Sequence, residues 1–129
     1  MKKLVLLIFI ILIPFVPLFA FNSKFKAAYA IGVFDSSGNG ENVQHVRTTK
    51  NDYNDICYSK IFVVGNYYNL KPVVKIGDSI GHFQSSKPIY NNRKIKIGEV
   101  LLYKHYKVTK GYFQVFYKKK LYDTKVFVK

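Results

Sequence analysis

Gly111-Tyr112-Phe113-Gln114-Val115-Phe116-Tyr117-Lys118-Lys119-Lys120-Leu121-Tyr122-Asp123-Thr124-Lys125-Val126-Phe127-Val128 is the stretch whose reading decides the fold class. Aromatic and β-branched residues dominate two runs, Tyr112 to Tyr117 and Leu121 to Val128, with three lysines between them as the turn. In the second run Tyr122, Thr124, Val126 and Val128 fall on one face and Asp123 and Lys125 on the other. Period-two patterning of this kind predicts a half-buried antiparallel sheet.

The pattern extends toward the N-terminus. Ile95 and Ile97 alternate with lysines, and Val100-Leu101-Leu102-Tyr103 reads as a buried run. Val73–Ile76, Tyr67–Leu70 and Ile56–Val64 are strand-like, separated by Gly77-Asp78, Lys71-Pro72 and Gly65-Asn66. Ala28–Phe34 is a further strand, Asp35–Gly40 a dense turn, and Val43–Thr48 its expected hairpin partner. Lys50–Asp55 and Gln84–Arg93 read as loops, the latter the longest because of Ser85, Ser86, Pro88, Asn91 and Asn92. No segment beyond residue 21 keeps a helical period for ten residues. Strands every 8–12 residues predict a mainly β fold, a small antiparallel barrel or roll.

At the other end, Lys2-Lys3 precedes eighteen uncharged residues, Leu4 to Phe21, broken by Pro14 and Pro17. This is the layout of a secretory signal, with an uncleaved membrane anchor as the alternative. The expected organisation is a signal or anchor at 1–20, a tether at 21–26, and a single β domain at 27–129. Its expected location is extracytoplasmic, the periplasm or cell surface.

The chain carries a net charge of +14. Most of it lies in residues 71–129, where thirteen lysines and Arg93 face only Asp78, Glu99 and Asp123, a net of +11. Such a field suits nucleic acid, anionic lipid, anionic cell-wall polymer or an acidic protein. Lysine, isoleucine, asparagine and tyrosine are abundant together, so part of the charge is compositional. Tyr and Phe number eleven each and Trp is absent. Cys57 is the single cysteine, so no disulfide closes within the chain, and a buried thiol is the expectation.

Five patterns bear on chemistry. Gly77-Asp78-Ser79-Ile80 after a strand resembles the opening block of the Gly-Asp-Ser-Leu hydrolases, but a helical α/β domain would have to follow it. Asp35–Glu41 has oxygens at calcium-loop positions but Val46 where the bidentate acid belongs. Cys57 with His82 or His105 would form a thiolate–imidazolium pair, set against a structural thiol in an alternating strand. His45, His82 and His105 have no metal-ligand spacing, and no metal or cofactor is expected. Finally, tyrosines and cations interleave at Tyr103-Lys104-His105-Tyr106-Lys107 and from Tyr112 to Tyr122. The exposed members of Tyr103, Tyr106, Tyr112, Tyr117 and Tyr122, with Lys118, Lys119 and Lys120, are the candidate binding residues. The alternative is that the rings make the core face and the lysines solvate the other.

Ile97-Gly98-Glu99-Val100-Leu101, Val108–Tyr117, Lys120-Leu121-Tyr122 and Val126 resemble the second half of bacterial SH3-like domains. The resemblance spans about thirty residues; Tyr112 stands where the family has Trp, and its Leu-Asn-Val-Arg segment is missing. It implies a compact barrel that binds cell-wall peptides or serves in assembly, with Tyr112 on the binding side. Together these readings predict a non-catalytic, basic binding or assembly module of the cell envelope. The alternatives are an RNA-binding protein of an organelle and a small hydrolase at Ser79.

Overall fold

The computed structural model describes residues 24–65 and 71–129. The apolar segment 4–21 and the strand expected at 67–70 lie outside the described residues.

Nine strands are described: β1 (Phe25–Asp35), β2 (Gly40–Asn42), β3 (Asp55–Gly65), β4 (Val73–Ile76), β5 (Ser79–Ile80), β6 (His82–Tyr90), β7 (Lys96–Val108), β8 (Gly111–Tyr117) and β9 (Lys120–Val128). They form a five-stranded sheet of order β2-β1-β3-β7-β6 and a four-stranded sheet of order β5-β4-β8-β9, antiparallel throughout. The described residues contain no helix, so none long and apolar enough to cross a membrane. The mainly β, antiparallel expectation holds. The barrel does not: the two sheets remain separate and pack face to face over one core.

That core follows from the alternation. On β3, Cys57, Ser59, Ile61 and Val63 point inward, and on β7 Leu101, Tyr103 and His105 do. Val74, Ile76, Phe113, Val115, Val126 and Val128 meet them from the smaller sheet. Burial of such apolar side chains contributes roughly 1.5–3 kcal/mol each, which a chain without a disulfide depends on. The chain crosses between sheets at Gly81, whose N–H donates to Val74 O at 2.8 Å. A Cβ there would stand 2.9 Å from the His105 ring, so the corner needs glycine.

Four local expectations are corrected. Residues 84–90 belong to strand β6 rather than to a loop. β6 is an edge strand exposed along nearly its whole length, so it shows no alternation, and Pro88 is tolerated because an edge N–H need not pair. The partner of β1 is the three-residue β2, not Val43–Thr48; that segment leaves the sheet and reaches β9 through a parallel bridge, Thr48 to Phe127. β1 starts at Phe25, inside the expected tether. On β9 the step from Val126 to Asp123 matches only Phe113 to Val115 on β8, a bulge that turns Asp123 inward and Thr124 outward.

Candidate functional site

The fold separates the candidate tyrosines. Tyr103 is 2% exposed and donates its hydroxyl to Pro72 O at 2.6 Å. Tyr117 is also buried, stacked on Phe25 with ring centroids 3.9 Å apart, and Tyr122 meets Phe25 edge-on. These three serve the core and its margin. Tyr106 and Tyr112 are 46% and 53% exposed. They lie in different sheets, Tyr106 on β7 and Tyr112 on β8. Lys118, Lys119 and Lys120 are exposed at the β8–β9 turn, with Lys118 Nζ over Tyr117 and Lys120 Nζ over Tyr122.

The structure instead assembles rings and cations on the outer face of the larger sheet. Strand register sets four side chains in one row across it: Phe34, Tyr58, Lys104 and His82. The next row holds Gly32, Lys60, Leu102 and Ser85, and the next Tyr29, Phe62, Val100 and Lys87. Lys60 Nζ stands 5.0 Å from the Phe34 ring centroid, and Lys104 Nζ lies 5.7 Å from Tyr58 and 5.1 Å from Tyr106. His82 packs edge-on against Tyr106. Tyr58, Lys60, Phe62, Val100, Leu102 and Lys104 are all part-exposed, and no described element covers them. Phe34, Tyr58 and Lys60 were not legible as site residues, because their rows exist only once three distant segments pair. The available signal was the outward half of the Ile56–Val64 alternation.

The nucleophile candidates are enclosed. Cys57 and His105 are direct cross-strand partners, both fully buried. Burial pushes the thiol up to about 12 and the imidazole down to about 4, so both are neutral near pH 7. A neutral pair is the opposite of a thiolate–imidazolium couple. His105 Nε2 pairs with Ser59 Oγ at 2.8 Å and Nδ1 faces Ser79 O at 3.4 Å. Ser79 Oγ donates to Tyr106 O at 2.7 Å, so its hydroxyl is engaged by a carbonyl and not by a base. In the Asp35–Glu41 turn, Asp35 Oδ1 accepts from Ser37 N, Ser37 Oγ and Asn39 N, an Asx turn that engages this carboxylate oxygen internally. The Ser37 hydroxyl leads in lowering the Asp35 carboxyl below its ordinary value. Among the described residues no three His, Cys, Asp or Glu side chains cluster as metal ligands.

A cavity of about 370 Å³ opens where β2 ends beside β1. Tyr29, Ala30 and Ile31 form one wall, Val43–Arg47 another, with Phe62 and the bulged part of β9 completing it. Asp123 is 6% exposed there. Its Oδ2 accepts from Ala30 N at 2.9 Å and its Oδ1 from Lys125 N at 3.2 Å.

Compared with known proteins, the chain matches no protein family, no curated protein and no solved structure.

Proposed function

We propose that this protein is a non-catalytic, basic binding module of the cell envelope, exported or anchored through residues 4–21, whose partner is a phosphate- or carboxylate-bearing cell-wall polymer. The observation that carries the reading is the row Phe34–Tyr58–Lys104–His82 with Lys60 beside it, on the sheet face that no described element covers. Aromatic faces stack on sugar rings, while the ammonium groups attract acidic substituents, so one surface offers both features of an acidic glycan. The net +11 of residues 71–129 adds a long-range field of the right sign. The likeness of residues 97–128 to bacterial SH3-like domains points to the same compartment. The sealed, neutral Cys57–His105 pair leaves no thiolate nucleophile at that position.

The test is retention of the purified full chain on cell wall bearing its anionic polymer, on RNA, and on anionic lipid vesicles. Retention by the cell wall, weakened about tenfold in the double variant Lys60→Gln/Lys104→Gln, is expected. Retention by RNA or vesicles alone, or an unaffected double variant, overturns the reading. RNA has its own arm because stacked bases and phosphates would use the same rings and lysines.

A further inference from the structure

We infer that the cavity between β1, the Val43–Arg47 segment and β9 is a subsite for a single acidic sugar unit, a pyranose bearing a phosphate or a carboxylate. The choice of a sugar rests on the glycan partner proposed above; the cavity and its charges stand on their own geometry.

Two bulges meet there. β1 slips one residue between Ala30 and Gly32, and β9 bulges between Asp123 and Val126. Bulges re-aim side chains and concentrate beside functional sites. Here they bring a carboxylate, Asp123, inward against the Ala30 N–H. The volume of about 370 Å³ lies within the range of small-ligand pockets, roughly 300–1,000 Å³.

Three kinds of group line the cavity. Tyr29 and Phe62 are cross-strand partners on the sheet's outer face and supply aromatic area. Asp123 accepts one backbone N–H at each oxygen, whereas a carboxylate offers about four acceptor sites, so capacity remains for hydroxyl donors. Arg47 and Lys125 supply positive charge, and His45 and Gln44 further polar groups. A wholly apolar ligand would seal the remaining acceptor sites of Asp123 without donors, which is unfavourable. A bare anion would meet the Asp123 charge, and an amine would meet Arg47 and Lys125. A neutral sugar would leave both cations unused. A sugar ring with an acidic substituent satisfies all three groups: its C–H face on the rings, its hydroxyls on Asp123, its anion on Arg47 and Lys125. The row Tyr29–Phe62 continues to Val100 and Lys87, so the cavity shares its two rings with the sheet face described above.

The experiment is amide-resolved NMR titration of the full chain in detergent with glucose 6-phosphate and with glucuronate, against glucose and inorganic phosphate. Shifts at Ala30, Arg47 and Lys125, with at least one acidic sugar bound about tenfold more tightly than either control, are expected. Arg47→Gln, a change at an exposed side chain, should weaken that binding about tenfold, and Asp123→Asn should do likewise while its amide oxygen still accepts from Ala30. No binding of either acidic sugar, equal binding of inorganic phosphate, or an unaffected Arg47→Gln overturns the inference. The Lys60→Gln/Lys104→Gln variant separates the two readings. Sugar binding without polymer binding sinks the sheet-face reading alone, and polymer binding without sugar binding sinks the pocket alone.

Discussion

His105 is the most constrained ionisable side chain of the core. It is fully buried, hydrogen-bonded to Ser59 on the adjacent strand, and turned toward the Ser79 carbonyl of the other sheet. Burial, with a smaller push from His82, holds its pKa at about 4, against about 6.5 in an unfolded chain. Between those values the unfolded chain binds more protons than the folded one, so stability falls as pH drops from about 6.5 to 4, by about 3 kcal/mol in all. Denaturant midpoints measured from pH 7 to 4 should show this loss in the wild type and a flatter profile in His105→Gln; parallel profiles would refute a neutral, buried imidazole. Glu41 acts lower on the scale. Burial raises its pKa, but the Lys50 N–H, the Tyr53 hydroxyl and the Asn51 N–H together outweigh that and hold it below 4.5. Its contribution is present above that value and disappears as pH falls through its folded pKa. Cys57 yields a separate prediction. With its thiol pushed up to about 12 by burial, it should resist thiol reagents in the native protein and react fully once denaturant is added. Rapid native labelling would place it outside the core.

At the scale of elements, the β8–β9 turn carries two non-glycine residues in the left-handed region, Lys118 at φ 50° and Lys119 at φ 70°. Two consecutive positive φ values are the geometry of a type I′ hairpin, which favours Asn-Gly. Lysine there costs about 1 kcal/mol per residue. Lys118→Asn/Lys119→Gly should therefore raise stability by about 1 kcal/mol, seen as a Tm increase of roughly 4 °C or more. In the opposite direction, Gly111→Ala would set a Cβ hard against Gly77 Cα, where the β7–β8 and β4–β5 connections touch, and should cost about 2 kcal/mol. These connections were readable in the sequence, because Gly77-Asp78 and Thr109-Lys110-Gly111 interrupt clear alternation. So were β1, β3, β4, β8 and β9. β6 was not, since a strand covered on neither face has no reason to alternate, and Ser85, Ser86 and Pro88 read as a loop. The inward turn of Asp123 was equally hidden: a bulge shifts a strand by one residue and reverses the faces on either side of it. Tyr103 and Tyr117 looked like binding residues because a tyrosine ring suits a core as well as a surface. What decides between them is whether the hydroxyl finds an acceptor, as Tyr103 does at Pro72, and that needs the tertiary fold.

For the whole molecule, the question is how a charge of +14 is divided between a diffuse field and a built surface. Lysines at the β8–β9 turn, Lys118 to Lys120, are exposed at a hairpin tip of the smaller sheet. Lys60 and Lys104 are half-buried among Phe34, Tyr58 and Tyr106, whereas Lys118 and Lys120, though each also stands over a ring, are exposed. The two groups should respond differently to salt. Attraction across open solvent is screened over about 8 Å at physiological ionic strength, whereas a contact made with stacked, partly desolvated rings is screened far less. Binding of the full chain to the anionic cell-wall polymer, measured across rising salt, should fall at first and then level at a salt-resistant remainder. Replacing Lys118, Lys119 and Lys120 with glutamine should flatten the initial fall and leave the remainder in place. Lys60→Gln/Lys104→Gln should remove the remainder and leave most of the initial fall. If all five lysines prove interchangeable, with affinity tracking total charge alone, the rows on the sheet face are an ordinary solvated surface and the +14 acts only as a field.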